Sequence, residues 1–158
     1  MPVTWQITLD TPLGPLSLRG DARVITAVDW DDGATVGAVG SRHPLAHRAA
    51  EHLAAWFADP SMPLDLPLAP AATPYQQRVR TALLAIPAGE TRTYGELAAE
   101  LDSAPRAVGT ACAANPLLIL VPCHRVVARQ GLGGYRGGAP DRALERKRWL
   151  LAYERGQR

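Results

Sequence analysis

The sequence has few of the residues that build disulfide frameworks, zinc clusters or membrane spans. Its 158 residues include two cysteines, Cys112 and Cys123, and no cysteine precedes them. Two thiols make neither a disulfide scaffold nor a structural zinc site. Apolar runs such as residues 117–121 are far shorter than the ~20 residues that span a bilayer, and the first residues do not resemble a signal peptide. We therefore expect a cytoplasmic protein with reduced thiols, no metal and no other cofactor.

Lysine is also scarce, and the charges are unevenly divided. Lys147 is the only lysine; residues 1–70 hold four arginines and eight acidic residues, a net charge of −4, whereas residues 71–158 hold thirteen basic and seven acidic residues, a net charge of +6. Arginine binds phosphate through two parallel hydrogen bonds. The basic half therefore suggests a polyanionic partner, although a solvated arginine-rich face gives the same count.

The first seventy residues have the pattern of a small sheet followed by a helix. Residues 5–9, 16–18 and 24–28 carry strand-type residues, and Gly14-Pro15 predicts a turn between the first two strands. This arrangement is a β-meander.

A helix and a connector are predicted next. Proline is tolerated at the first helical position, and apolar residues follow Pro44 at helical spacing, so a helix is predicted over 44–58. Five prolines between 60 and 74 predict a connector without regular structure. We accordingly divide the chain into a domain of residues 1–70, which ends in the connector, and a domain of residues 71–158.

The second region contains repeated helix-start signals. Thr73 and Thr93 each begin a capping-box pattern, in which a threonine and a Glu or Gln three residues later satisfy backbone donors. The helix after Thr93 is expected to end near Leu101, and Ser103 is expected to cap a third helix that runs to Ala114. Two short helices divided by a tight turn form a helix-turn-helix pattern.

The third of these helices is built of very small residues. Alanine and glycine leave a slim cylinder with Arg106 near its start, which would allow close approach to a nucleic-acid groove. A tightly packed core helix is the alternative explanation, and composition does not separate the two.

A cysteine follows the apolar run. Residues 117–121 have the length and branching of a buried strand, after which come Cys123, His124 and Arg125. Positive neighbours favour a thiolate, so a lowered pKa is expected at Cys123. In extended chain Cys123 and His124 would point to opposite faces, so contact between them requires a turn. The alternative is an inert buried cysteine.

The last region combines a glycine-rich loop with a helix. Residues 131–138 contain five glycines but match neither the P-loop nor the dinucleotide-binding pattern, so we expect a loop whose backbone passes close to a flat group. Apolar residues from Leu144 to Tyr153 predict a C-terminal helix that brings Glu154 near the core. By default such a helix-end carboxylate is solvated.

Together these segments resemble the O6-alkylguanine-DNA alkyltransferases, also called methylated-DNA-protein-cysteine methyltransferases. The resemblance covers about residues 73–154, and several motifs occur in the family's order. They are Ile86-Pro87-x-Gly89-x-Thr91-x-Thr93-Tyr94-Gly95-Glu96-Leu97, Arg106-Ala107-Val108-Gly109, Ala114-Asn115-Pro116, Ile119-Leu120-Val121-Pro122-Cys123-His124-Arg125-Val126-Val127, Gly134-Tyr135-Arg136-Gly137-Gly138 and Lys147-x-Trp149-Leu150-Leu151.

The resemblance implies a fold and a reaction. The fold would be an α/β N-terminal RNase-H-like domain followed by a mainly α winged-helix domain with the helix-turn-helix. Cys123 would attack the alkyl carbon on guanine O6 and keep it as a thioether, so that each molecule reacts once. His124 would take the thiol proton through a water, Glu154 would orient the imidazole, and Asn115 would tie the helix-turn-helix to the active-site turn. Activity on O4-alkylthymine is left open.

The resemblance also implies how DNA is bound. The partner would be double-stranded DNA containing O6-alkylguanine, bound by a monomer that rotates the lesion into a pocket. The base would meet Tyr94, the backbone around Val126, and a pocket loop at Tyr135 and Arg136, where only the backbone N–H of Arg136 is inferred. Arg106 would enter the vacated stack, and the helix would lie in the minor groove. The DNA-binding residues would be Arg106, Thr93, Ala107, Thr110 and Ala111.

Several positions depart from the family pattern, and three alternative functions remain. Arg136 stands where a small or hydroxyl residue is usual, and residues 139–146 form a longer segment than usual. A non-catalytic lesion sensor of the alkyltransferase-like type is one alternative, but such proteins replace the acceptor cysteine. A plain winged-helix DNA binder and a cysteine hydrolase, which would turn over repeatedly, are the others.

Overall fold

The computed structural model describes residues 4–32, 42–136 and 139–156. Gly137 and Gly138 of the predicted glycine-rich loop lie outside the described residues. The chain divides into two units, one formed by the described residues of 1–69 with Pro116–Leu120, the other by Pro70–Asn115 with the described residues from Val121 onward. The architecture is mixed α/β, with two small sheets and five α-helices among the described residues.

The first unit contains the predicted meander. Strands β1 (Thr4–Thr11), β2 (Gly14–Asp21) and β3 (Ile25–Trp30) form an antiparallel sheet in that order. The turn lies at residues 12–13, so the prediction of a turn at Gly14-Pro15 was wrong by two residues. Gly14 begins β2 with φ of 106°, a value that favours glycine.

One helix covers this sheet. Helix α1 (Pro44–Ala58) has the predicted bounds, and the Nδ1 atom of His43 accepts a hydrogen bond from the backbone N–H of Leu45 at its start. Its buried face carries Leu53 and Trp56. The proline-rich connector holds neither helix nor strand, as predicted, apart from one parallel bridge between Leu68 and Ile25.

The apolar run of residues 117–121 is not a strand, so that prediction was wrong. All five residues are buried, but Leu117 alone makes a bridge, to Val28, and a turn follows. Ile119 has φ of 71°, which interrupts any extended segment. The run is apolar because all five residues are buried, the first four of them in the first unit. An apolar sequence does not distinguish this burial from pairing in a sheet.

The second unit begins with three helices, α2 (Pro74–Leu84), α3 (Tyr94–Glu100) and α4 (Pro105–Ala113). The capping box at Thr93 is complete, with both reciprocal hydrogen bonds present. The expected cap of α4 was wrong, because Ala104 occupies that position without a side-chain hydrogen bond. The Ser103 hydroxyl instead shares a 2.7 Å hydrogen bond with the hydroxyl of Tyr75.

The rest of the second unit surrounds a tight turn. A single 3₁₀ turn, Cys123–Arg125, leads into β5 (Val126–Val127), which pairs in parallel with β4 (Arg92–Thr93). Helix α5 (Pro140–Glu154) completes the unit and confirms the predicted C-terminal helix. Among the described residues, no helix has the length and apolar character needed to cross a membrane.

Candidate active site

A cavity of about 360 Å³ opens beside the 3₁₀ turn of the second unit. It lies among helices α3 and α4, the 3₁₀ turn and the glycine-rich loop. The lining residues are Tyr94, Gly109, Cys112, Ala113, Cys123, Gly134, Tyr135 and Arg136. Cys123 is only 5% exposed, yet it lines this cavity rather than the closed core.

The Cys123 thiol is held by Asn115, two residues past the end of helix α4. The Asn115 side-chain amide donates to Cys123 Sγ at 3.3 Å and to the backbone oxygen of Val121 at 3.0 Å. Burial raises the pKa of Cys123, against the hydrogen bond from Asn115 and the positive charges of Lys147 and Arg136. The expectation of a lowered thiol pKa was therefore wrong, because removing the sulfur from water outweighs its positive neighbours.

Behind the thiol, His124 and Glu154 form a buried pair. Their side chains are fully inaccessible to solvent, and His124 Nε2 lies 2.9 Å from Glu154 Oε1. Burial lowers the pKa of His124, so the ring is neutral at neutral pH. A carboxylate partner places the ring proton on Nε2, which leaves Nδ1 as the acceptor. That Nδ1 atom is buried and has no hydrogen-bond partner within the described part of the chain.

Arg125 keeps this carboxylate ionised. Its Nε donates to both carboxylate oxygens of Glu154 at 3.1 Å, its Nη2 pairs with Oε2, and its Nη1 donates to the backbone oxygen of Ile86 at 2.6 Å. Burial alone would raise the pKa of Glu154, but the hydrogen bonds from His124 and Arg125 lower it to about 2. Glu154 is thus a buried anion, not the solvated helix-end carboxylate of the default interpretation.

Lys147 is a component of this site that the sequence reasoning missed. It is fully buried, and its Nζ donates to the backbone oxygens of Val126 at 2.7 Å and Gly134 at 2.8 Å. Burial lowers its pKa to about 8, although the two thiols favour its charge. The available signal was that this is the chain's only lysine, placed in a helix rich in arginine.

The Tyr94 ring forms one wall of the cavity and is closely enclosed by two glycines. A Cβ on Gly133 would lie 2.9 Å from the ring, and a Cβ on Gly109 would lie 3.9 Å from it. The Lys147 Nζ lies 5.9 Å from the ring centroid. Burial raises the pKa of Tyr94, so its hydroxyl remains a neutral donor.

Described residues of the glycine-rich loop also line the cavity. Tyr135 and Arg136 line it, whereas Val126 is fully buried and does not. The Arg136 Nη1 donates to the backbone oxygen of Asn115 at 2.7 Å. The side chain of Arg136 therefore joins the loop to the end of helix α4.

A second, shallower cavity of about 490 Å³ follows the outer face of helix α4. Four of the expected DNA-binding residues, Arg106, Ala107, Thr110 and Ala111, line it together with the start of helix α2. Thr93 does not line it. The Thr93 hydroxyl accepts a hydrogen bond from the backbone N–H of Glu96 at the start of helix α3.

Comparison with known proteins gives one family. The model of the 6-O-methylguanine DNA methyltransferase DNA-binding domain matches residues 74–156. A methylated-DNA-protein-cysteine methyltransferase of Mycobacterium tuberculosis is 41% identical over 95% of this chain and 92% of its own length. A protein of the same name from Salmonella typhimurium is 40% identical over 91% of both chains.

Comparison with solved structures gives the same family. The crystal structure of the O6-methylguanine methyltransferase of M. tuberculosis superimposes with a TM-score of 0.82 at 37% identity, covering 99% of this chain and 95% of that one. A complex of the M. tuberculosis protein with DNA gives a TM-score of 0.81 at 38% identity, covering 96% and 93%. With this similarity along nearly the whole chain, the protein belongs to the methylated-DNA-protein-cysteine methyltransferase family.

Proposed function

We propose that this protein repairs DNA by direct reversal, taking the alkyl group from O6 of alkylated guanine onto Cys123. The observation that supports this most is a thiol that lines a cavity large enough for a purine while Asn115 donates to its sulfur. The Cys123 sulfur attacks the alkyl carbon, an S–C bond forms, and the C–O6 bond breaks with its electron pair left on guanine. No base restores the free thiol from the thioether, so each molecule reacts once.

The thiol proton needs an acceptor, because the raised pKa of Cys123 leaves it protonated at neutral pH. His124 accepts it at Nδ1 through a water molecule, and the anionic Glu154 stabilises the imidazolium that forms. The imidazolium then returns the proton through water to the guanine, which ends as the neutral base, and His124 is neutral again. Asn115 holds the sulfur in place during the attack.

The base is recognised by groups around the cavity. Tyr94 donates to the base edge, and the backbone near Val126 meets the exocyclic amine of guanine. The loop at Tyr135 and Arg136 offers a backbone N–H to O6, which favours transfer because negative charge develops there. The carbonyl of Val126 also accepts a hydrogen bond from Lys147 Nζ at 2.7 Å, which fixes this stretch of backbone.

Reaching the lesion requires rotation of its nucleotide out of the duplex. Arg106 enters the vacated stack, while Ala107, Thr110 and Ala111 follow the minor groove, where their small side chains permit close approach. Thr93 contributes to DNA binding from the start of helix α3, where its hydroxyl accepts a hydrogen bond from the backbone N–H of Glu96.

We also propose a fold for each of the two domains. Residues 1–70 are an RNase-H-like domain, supported by the antiparallel sheet and the one helix upon it. Residues 71–158 are a winged-helix domain, supported by helices α2 to α4 and the β4–β5 pair. The protein acts as a monomer on double-stranded DNA containing O6-alkylguanine.

Intact mass measurement tests the reaction directly. Incubation with a duplex bearing O6-methylguanine is expected to add one methyl group, on the peptide containing Cys123, in a stoichiometric reaction. Cys123→Ala is expected to gain no mass and to keep nearly all DNA binding. An unchanged mass with DNA still bound would favour the lesion sensor, and repeated turnover on an ester would favour the hydrolase.

Arg106→Ala tests the extrusion step. The variant is expected to slow repair in the duplex much more than reaction with free O6-benzylguanine, because only the duplex requires the base to leave the stack. Equal losses on both substrates would rule out the wedge role of Arg106.

A further inference from the structure

The loop between β5 and α5, residues 128–136, is attached to the second unit at two positions close together in sequence. The Lys147 Nζ donates to the backbone oxygen of Gly134, and two residues later the Arg136 Nη1 donates to the backbone oxygen of Asn115 at 2.7 Å. Lys147 is fully buried, whereas Arg136 is an exposed residue. Arg136 can therefore be substituted without leaving a cavity in the core, whereas Lys147 cannot.

Asn115 connects this attachment to the reacting sulfur. Its backbone oxygen accepts from Arg136, while its side-chain amide donates to Cys123 Sγ at 3.3 Å. Its backbone N–H donates to the oxygen of Cys112 at 3.1 Å, just past the C-terminal end of helix α4. A guanidinium at such an end makes a charge-assisted hydrogen bond and complements the helix dipole.

We propose that the side chain of Arg136 is a positioning residue for alkyl transfer: it fixes Asn115 and the loop over the cavity, and its charge stabilises the sulfur anion of Cys123. The inference rests on the proposed function, since alkyl transfer is the reaction that it serves. The sequence analysis placed only the backbone N–H of Arg136 in the pocket, because the family often has a small or hydroxyl residue at this position.

Several groups act on the charge of the same sulfur. Lys147 from helix α5 and Arg136 from the loop lower the pKa of Cys123, as does the hydrogen bond from Asn115. Cys112 from helix α4 and Tyr94 from helix α3 also interact electrostatically with Cys123. His124, next in the turn, is neutral because burial lowers its pKa. Arg136 is the most exposed of the positive groups, so its contribution is smaller than that of Lys147.

Two variants separate the hydrogen bond from the charge. Arg136→Gln keeps an N–H donor and removes the charge, whereas Arg136→Lys keeps the charge and a single donor group. Arg129→Gln is the matched control, because it removes one positive charge from an exposed residue of the same loop. Each protein is assayed for transfer from free O6-benzylguanine by intact mass and for alkylation of Cys123 by iodoacetamide from pH 6 to 10.

Arg136→Gln is expected to slow both reactions at pH 7 by about fivefold to tenfold, with an upward shift of the iodoacetamide profile, since tenfold corresponds to about one pH unit. Arg136→Lys should restore most of that shift but less of the transfer rate. Arg129→Gln should stay within about twofold of the unmodified protein in both assays, because Arg129 is exposed and is not among the residues that line the cavity.

Three results would contradict either the role of Arg136 or the proposed function. Wild-type rates and profile in Arg136→Gln would overturn the inference. Equal slowing in both variants with an unchanged pH profile and a lower melting temperature would also overturn it, by leaving only a packing role. An unmodified protein that gains no benzyl mass would overturn the proposed function instead, and the iodoacetamide profiles would still decide whether Arg136 governs the sulfur.

Discussion

Replacement of Glu154 by Gln tests the buried network behind the thiol. The carboxylate accepts from His124 at 2.9 Å and from Arg125 through two donors. A pKa lowered from 4.5 to about 2 corresponds to about 3 kcal/mol in favour of the ionised form. Glu154→Gln also leaves the guanidinium of Arg125, whose side chain is only 12% exposed, without its counter-charge. We therefore expect a loss of about 3 kcal/mol in the free energy of unfolding, or about 6–12 °C in melting temperature.

The loss of stability should depend on pH. The folded-state pKa of Glu154 is depressed, so its contribution is complete above pH 4.5 and disappears as the pH falls through about 2. The difference between the unmodified protein and Glu154→Gln should therefore be largest at pH 7 and shrink in acid. Urea unfolding at several pH values measures it, with the exposed Glu145→Gln on the same helix as the control.

The same substitution should impair the chemistry. An amide at position 154 no longer selects the His124 tautomer with the proton on Nε2, nor does it stabilise the imidazolium. Transfer from O6-benzylguanine should fall by about 10²–10⁴-fold, as happens when the orienting carboxylate of a similar acid-base arrangement is neutralised. A variant as stable and as reactive as the unmodified protein would refute the base role of His124 together with the buried ion pair.

Two further predictions concern the cavity walls. Lys147→Met should slow iodoacetamide alkylation of Cys123 at pH 7 by about tenfold or more, because two backbone oxygens lose their donor and the sulfur loses a buried positive charge; an unchanged rate would contradict this. With a pKa of about 8 for Lys147, the benefit of its charge should decline as the pH rises through that value. Gly133→Ala should cost more stability and reactivity than Gly131→Ala. Both glycines have positive φ, so a new Cβ costs about 1 kcal/mol or more at either position. Only at Gly133 would the Cβ also lie 2.9 Å from the Tyr94 ring. Equal shifts in melting temperature for the two variants would show that the Tyr94 ring moves aside at no cost in stability.

Much of the secondary structure followed from local signals. The meander, helix α1 from Pro44 and the reciprocal cap at Thr93 are set by residues within a few positions of one another, and the structure confirms them. The prediction that Ser103 caps helix α4 was wrong, because its hydroxyl is hydrogen-bonded to Tyr75, twenty-eight positions earlier in the chain. Capping preferences describe only the local competition for a hydroxyl.

The sequence alone determined the family, because several motifs in a fixed order identify the acceptor cysteine and its neighbours without any coordinates. Tertiary structure alone decided the electrostatics of the site. His124 and Glu154 are thirty residues apart, and Lys147 is buried against backbone oxygens from two other segments. The pKa of Cys123 is raised rather than lowered because burial depends on the whole surroundings of the sulfur, whereas the sequence displays only its charged neighbours.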